Sequence, residues 1–132
     1  MSDTIEFKFG TPEFSYDFKF KVGYIMYMGN SGTGKSFMFS VLNDYCRVKN
    51  IPVMYVTYKN IDVITMKDFS EHCKKSKFVI FDNGDLYLTQ ELLESVKSAD
   101  NIVLFSTKKA FPYLHGVSLG SVMFTKDKLV TY

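Results

Sequence analysis

One stretch of eight residues decides the expected fold of this chain: Gly29-Asn30-Ser31-Gly32-Thr33-Gly34-Lys35-Ser36. It fits the pattern G-x-x-x-x-G-K-[ST] at every constrained position. The glycines permit backbone angles that other residues avoid and leave no side chain in the way, so successive N–H groups can turn inward around phosphate oxygens. The lysine ammonium would contact the β- and γ-phosphates, and the serine hydroxyl would complete a Mg²⁺ shell. The stretch therefore predicts a nucleotide cradle.

The flanking sequence agrees with this interpretation, because the motif requires a strand before it and a helix after it. Residues 24–28 are a short apolar run typical of a buried strand. Residues 37–49 are mostly apolar and lead to Asn50 and Pro52, which predicts a helix that ends near Lys49. The positive N-terminal end of this helix would add to the site. The residues expected to bind the nucleotide are Gly29, Asn30, Ser31, Gly32, Thr33, Gly34, Lys35, Ser36 and Phe37.

Strand and helix patterns alternate along the middle of the chain. The expected strands are residues 52–58, 78–81 and 102–105, and the expected helices are 65–76, capped by Thr65, and 89–98, capped by Thr89. Such alternation is typical of a parallel sheet with helices on both faces and ligands at the carboxyl ends of the strands.

The two ends of the chain have a different pattern. Apolar residues alternate with polar ones over 5–22, with a break at Gly10-Thr11-Pro12, and again over 121–132, so each end predicts a β-hairpin. Residues 110–120 are the least regular and are expected to form a loop. We therefore expect an α/β three-layer sandwich with a mainly parallel sheet and antiparallel hairpins at both ends. Its single domain, 1–132, would comprise a hairpin (1–23), a nucleotide-binding core (24–108) and a loop with a second hairpin (109–132).

A carboxylate follows the second of these expected strands directly, at Asp82. At this position the carboxylate would lie beside the phosphate loop and would bind Mg²⁺ directly or through water. Buried strands also end in Asp for reasons of turn geometry. The position of Asp82, one strand and two helices after the phosphate loop, favours the metal role. Ser36 and Asp82 are the predicted Mg²⁺ ligands.

With these motifs the chain resembles the P-loop NTPases, in the branch that includes the RecA-like, AAA+ and ABC ATPases. Residues 29–36 match the Walker A motif, and residues 78–82 match the Walker B motif. Ser106 and Thr107 resemble the sensor position, which contacts the γ-phosphate or the attacking water. The resemblance implies the strand order second, Walker B, sensor, phosphate-loop strand, and catalytic roles for Lys35 and Ser106. The N-terminal hairpin is similar to the antiparallel β-subdomain of ABC-type domains.

The chain departs from the family pattern at the catalytic base. The residue after the Walker B aspartate is commonly glutamate in that branch, and here it is Asn83. An amide can orient a water but cannot accept its proton. Asp85 is the nearest substitute carboxylate and is a catalytic candidate, although the sequence Asn83-Gly84-Asp85 also suits a tight turn.

Other accessory elements are also missing. There is no LSGGQ-like signature, and the single arginine, Arg47, lies at the far end of the first helix, so Lys108 and Lys109 are the only candidate cations near the sensor position. Without an arginine finger, hydrolysis should be slow unless a partner supplies the charge. The elements for guanine recognition, N-K-x-D and D-x-x-G, are absent, which favours ATP as the nucleotide.

Composition limits the remaining functions. A net charge of +2 is too small to indicate nucleic-acid binding. The cluster Lys74, Lys75 and Lys77 is the only support for it, and a solvated helix end explains that cluster more simply. Cys46 and Cys73 suggest neither a disulfide framework nor a zinc site. No apolar run approaches the roughly 20 residues that cross a membrane, so a cytoplasmic protein is expected.

Three functions remain open at this point. The first is an ATP-binding protein with slow or partner-stimulated, Mg²⁺-dependent ATP hydrolysis. The second is a non-catalytic nucleotide-binding interaction module, of the reduced kind found on phages and mobile elements, and the third is a nucleic-acid or assembly factor. In each case a protein partner or a second copy of the chain could complete the site.

Overall fold

The computed structural model describes residues 4–28, 34–108, 111 and 114–132. The strands are β1 (Thr4–Gly10), β2 (Ser15–Lys21), β3 (Gly23–Tyr27), β4 (Val53–Val56), β5 (Phe78–Phe81), β6 (Ile102–Ser106), β7 (Val117–Gly120), β8 (Val122–Phe124) and β9 (Lys128–Thr131). The helices are α1 (Lys35–Val48), α2 (Phe69–Lys75) and α3 (Gln90–Val96), with 3-10 segments at Tyr58–Thr65 and Gly84–Leu86.

The central sheet has five strands in the order β4-β5-β6-β3-β7, and every neighbouring pair is parallel. The first four follow the order that the resemblance to P-loop NTPases implied. The expectation of a loop over 110–120 is wrong for Val117–Gly120, which form the fifth strand. This strand lies at an edge and exposes Ser118 and Leu119. It therefore lacks the apolar run that predicts a buried strand.

The two terminal hairpins join into a second sheet with the order β1-β2-β9-β8. Both hairpins are antiparallel as predicted. Their union was not predicted, because β2 pairs in parallel with β9, which lies more than a hundred residues away in sequence. The hydroxyl of Thr131 links the two strands: it accepts a hydrogen bond from the Lys19 N–H at 2.7 Å and donates to the Lys19 carbonyl at 3.1 Å.

The central sheet is covered on both faces, which confirms the α/β three-layer prediction. On one face α1 and the second sheet contribute Phe39 and Phe18 to a core that includes Phe78 of the central sheet. On the other face α2 and α3 pack Phe69 and Leu93 against the sheet. All residues of β5 and β6 are buried, and burying each of their apolar side chains contributes about 1.5–3 kcal/mol to folding. These two apolar strands carry the polar residues of the site at their ends.

One predicted helix begins later than expected. Thr65 was expected to cap a helix over 65–76, but its hydroxyl donates to the Asp62 carbonyl at 2.8 Å and so closes the preceding 3-10 segment. Helix α2 starts only at Phe69, after Asp68 with φ 69°. The predicted cap at Thr89 is confirmed, because its side chain accepts the Leu92 N–H at 3.0 Å. Across the described parts of the chain no helix is long and apolar enough to cross a membrane. The single-domain organisation over 1–132 stays a prediction.

Candidate nucleotide site

The candidate site lies where β3, β5 and β6 end and α1 begins. Residues 29–33 of the phosphate-binding motif lie outside the described residues, and the described part of the motif starts at Gly34. Gly34 has φ +91°, a backbone angle that favours glycine. Its carbonyl accepts the Met38 N–H at 2.9 Å, which starts the hydrogen bonding of α1. A Cβ at this position would lie 3.2 Å from the Cβ of Phe124. The backbone angle therefore favours glycine here, and an added Cβ would also need Phe124 to shift.

Three predicted site residues meet in one hydrogen-bonded group. Asp82 follows β5 and is 6% exposed, and it lies beside Ser106 because β5 and β6 are paired in parallel. The hydroxyls of Ser36 and Ser106 both donate to Oδ1 of Asp82, each at 3.1 Å. The backbone N–H of Asn83 donates in turn to the Ser106 hydroxyl at 2.9 Å. A buried carboxylate needs such donors, because burial without them is costly. The fold thus gathers side chains from α1, β5 and β6 around one carboxylate.

The geometry of Ser36 and Asp82 fits a small divalent cation. Adjacent ligands in an octahedron at 2.0–2.1 Å from Mg²⁺ lie about 2.9 Å apart, close to the 3.1 Å between Ser36 Oγ and Asp82 Oδ1. Both hydroxyls approach Oδ1, so neither occupies Oδ2. Within the described residues no group of three or more His, Cys, Asp or Glu could hold a metal. Mg²⁺ sites in proteins usually have only one or two carboxylate ligands, and water molecules complete the coordination. The ligand roles of Ser36 and Asp82 stay predictions.

Lys35 lies in the electrostatic field of the same group. Partial burial lowers the pKa of its ammonium, while the carboxylates of Asp82 and Asp85 act in the opposite direction and Lys108 adds to the lowering. An anion beside a cation that has been partly removed from water stabilises the charged form of the cation. This environment suits the predicted phosphate contact of Lys35, whose catalytic role stays a prediction.

Asp85, in the turn after β5, accepts hydrogen bonds from the residues that follow β6. Oδ1 of Asp85 accepts hydrogen bonds from the Thr107 hydroxyl and from the Lys108 N–H, both at 2.7 Å. Asn83 is exposed, with φ 51°, and starts the 3-10 segment. These contacts correspond to the turn interpretation of Asn83-Gly84-Asp85, in which Asp85 ties this turn to the end of β6. A catalytic role for Asp85 stays a prediction.

Ser106, the predicted sensor, has its hydroxyl proton directed at Asp82 rather than at the open side of the site. Its catalytic role stays a prediction, and its contacts describe a residue that positions Asp82. Sequence reasoning missed a second such residue, Tyr87, whose hydroxyl donates to the Asp82 carbonyl at 2.7 Å. Burial raises the pKa of Tyr87, with Asp82 adding to the effect. No motif marks a tyrosine at this place, so the sequence carried no signal for it.

The other side of β3, toward β7 and β8, exposes several apolar side chains, and we call it the apolar side. Met28, Phe37 and Phe124 are each 43–51% exposed, and the rings of Phe37 and Phe124 pack edge to face with centroids 5.4 Å apart. An adjoining cavity of about 180 Å³ reaches Lys35. Its other lining residues are Tyr27, Met28, Gly120, Ser121 and Val122. Phe37 was a predicted binding residue, whereas Phe124 was missed because only the folded β8 brings it to Gly34.

Comparison with known proteins gives a likeness of fold. No protein-family model matches the chain, and no curated protein matches it at a significant level. Among solved structures, the crystal structure of a DNA replication initiation factor is similar, with a TM-score of 0.52 and 15% sequence identity. The similarity covers 74% of this chain and 35% of that chain. The present chain thus spans about a third of that protein's length, and at this identity the likeness concerns the fold alone.

Proposed function

We propose that this chain is a P-loop protein that binds ATP together with Mg²⁺ and hydrolyses it slowly, with a partner needed for faster turnover. The observation that carries the proposal is the group formed by Ser36, Asp82 and Ser106 at the start of α1. Two hydroxyls and a buried carboxylate next to a lysine supply the oxygen ligands and the positive charge that a Mg²⁺–triphosphate requires. When bound, Mg²⁺ would neutralise charge on the phosphates.

The two sides of β3 support one orientation of the nucleotide. The hydroxyls and carboxylate lie on the β6 side of this strand, so the terminal phosphate would lie there. The nucleoside would then extend toward the β7 side, where Phe37 and Phe124 expose their rings beside Gly34. A base that stacks on an aromatic ring gains about 1–3 kcal/mol whichever base it is. ATP is the proposed ligand because the guanine-recognition elements are absent, and stacking by itself would discriminate little.

Slow hydrolysis is proposed from what surrounds the terminal phosphate. Asn83 cannot act as a general base, and the only arginine, Arg47, lies in the last turn of α1 at the opposite edge of the sheet. A missing arginine finger alone accounts for three to five powers of ten in rate. A second copy of the chain or another protein could supply that cation.

A non-catalytic nucleotide-dependent interaction module is the second candidate. It is favoured by Asn83, whose N–H is engaged with Ser106 and whose side chain is exposed. The fold that the chain shares with a DNA replication initiation factor is compatible with such a module. In this case bound ATP would stabilise one conformation of an interaction surface, and turnover would be absent.

Calorimetric titration with ATP, ADP and GTP, with and without Mg²⁺, tests the binding proposal. We expect the wild type to bind ATP with micromolar affinity. Lys35→Ala should weaken binding roughly 10–100-fold, because a charged hydrogen bond contributes about 1.5–3 kcal/mol. The control Lys126→Ala, which removes an exposed lysine in the turn between β8 and β9, should leave the affinity unchanged. Asp82→Asn should remove the Mg²⁺ enhancement and leave metal-free binding intact. Wild-type protein that binds no nucleotide below millimolar concentration would contradict the proposal.

Phosphate release then separates the two candidate functions. Slow release by the wild type that Lys35→Ala abolishes identifies an ATPase. Equal release by both proteins, with ATP binding intact in the wild type, identifies the non-catalytic module.

A further inference from the structure

The surface at the amino ends of the central strands, opposite the nucleotide site, carries most of the excess positive charge of the molecule. Each helix runs back from the carboxyl ends of the strands, so the last turns of α1, α2 and α3 and the residues that follow them lie together at the amino ends of the strands. We call this surface the basic edge. Its basic residues are Arg47, Lys49, Lys74, Lys75, Lys77 and Lys97.

Hydrogen bonds hold these segments together, with Lys77 at their centre. Its N–H donates to the Pro52 carbonyl at 2.8 Å, and its own carbonyl accepts the Ile102 N–H at 2.8 Å. Its ammonium donates to the Asp100 carbonyl at 2.7 Å. Burial lowers the pKa of Lys97, the nearby carboxylate of Asp100 acts in the opposite direction, and the charge of Lys77 adds to the lowering. The segments that follow α1, α2 and α3 are therefore held next to one another at the amino ends of the strands.

The charge of this surface is not balanced within the molecule. The same segments contain two acidic residues, Glu94 and Asp100, against six basic ones. The whole chain has sixteen basic and fourteen acidic residues. Outside the basic edge, ten basic and twelve acidic residues therefore remain, so the rest of the molecule has a slightly negative net charge. Both ion pairs formed among described residues join Lys8 and Lys19 to Glu6 in the second sheet, and none involves the basic edge.

We propose that the basic edge binds the phosphate backbone of duplex nucleic acid. Basic residues at helix C-termini also complement the helix dipole, but that effect gives no reason for six basic and only two acidic residues to collect at three neighbouring helix ends. Five of the six cations are lysines, which contact phosphates as point charges and lack the fork that reads guanine. None of the exposed aromatic residues in the described chain lies in these segments, whereas binding of single strands relies on aromatic stacking.

This site is separate from the nucleotide site. The strands between the two edges have four or five residues, which at about 3.3 Å per residue separates the edges by roughly 13–17 Å. A duplex at the basic edge would leave the start of α1 accessible. The inference needs no bound nucleotide, so its test is independent of the proposed ATP binding.

Fluorescence anisotropy of a labelled 20-base-pair DNA duplex, measured against KCl concentration without nucleotide, tests the proposal. The association constant should fall with salt by a log–log slope of about −0.9 for each phosphate contact. In the variant Lys74→Gln with Lys75→Gln we expect roughly tenfold weaker binding at low salt and a slope reduced by about 2. The matched control, Lys126→Gln with Lys128→Gln, removes two exposed lysines from the second sheet and should retain wild-type binding.

Each alternative result overturns the proposal in a recognisable way. Equal loss of binding in both variants means a general charge effect without a site. Tighter binding of the corresponding single strand means recognition by stacking elsewhere on the molecule. Tighter binding of polyglutamate than of the duplex identifies an acidic protein partner, and absence of duplex binding in 50 mM KCl removes the site. Circular dichroism and the thermal midpoint of each variant show whether it is folded.

Discussion

The two sides of β3 differ in chemistry and in how they are built. On the β6 side, two buried strands lead to Asp82 and Ser106, and hydrogen bonds of 3.1 and 2.9 Å hold these residues. On the β7 side, exposed rings and a small cavity lie next to an edge strand. The polar side is rigidly specified because a buried carboxylate must be satisfied. Under the proposed function, phosphate binding would be built into the fold and base binding would be added at its edge.

Gly34 lies between the two sides, and Gly34→Ala should have the largest effect. A Cβ at φ +91° is strained by about 1–2 kcal/mol and would be 3.2 Å from Phe124. We expect ATP affinity to fall by at least about 2 kcal/mol, roughly 30-fold, when measured by calorimetry. Gly116→Ala is the matched control, because Gly116 has φ +74° and no atom of the described residues lies within 4 Å of the added Cβ. It should lose stability only, and equal loss of affinity in both variants would contradict the special position of Gly34.

Ser106→Ala tests the polar side alone. The change leaves the Asn83 N–H without its acceptor and removes one donor from Asp82. We expect the free energy of unfolding to fall by about 1–3 kcal/mol in urea denaturation. The control Ser118→Ala alters an exposed serine of β7 and should change stability by less than about 0.5 kcal/mol. If the two variants were equally stable, the hydrogen-bonded group would not contribute to the fold.

Phe124→Ala tests the apolar side. Loss of one of two stacking rings should weaken ATP and GTP binding equally, by about 1 kcal/mol or roughly fivefold, because Phe37 still offers its ring. The Mg²⁺ dependence of binding should be unchanged, since the polar side is intact. Leu119→Ala, an exposed residue of β7, serves as the control and should bind normally. A variant that lost Mg²⁺ dependence would show that the two sides are coupled through Gly34.

The sequence predicted the polar side far better than the apolar side. The end of β5 and the start of α1 carry motifs whose residue types follow from phosphate and metal chemistry, so Ser36 and Asp82 could be named in advance. Ser106 was named only from the family resemblance. Local cues also identified both hairpins and the cap at Thr89. Phe124 and Tyr87 could not be found, because their roles depend on contacts across the sheets. The strand Val117–Gly120 was missed for a similar reason: pairing with β3, and not its own apolar pattern, makes it a strand.

Asn83→Glu should have the smallest effect, although it restores the residue that a general base would need. A well-placed general base contributes a factor of about 10²–10⁴. Asn83, however, has φ 51°, a left-handed conformation that asparagine tolerates better than glutamate. Its side chain is exposed. The only arginine of the chain, Arg47, lies in the last turn of α1, away from the place where it could stabilise the transition state. We therefore expect single-turnover phosphate release to rise by less than about threefold over wild type, with Asn83→Asp as the control of equal charge. A rise of a hundredfold would show that the site lacks only its base, and the β6 side would then be a complete catalytic centre.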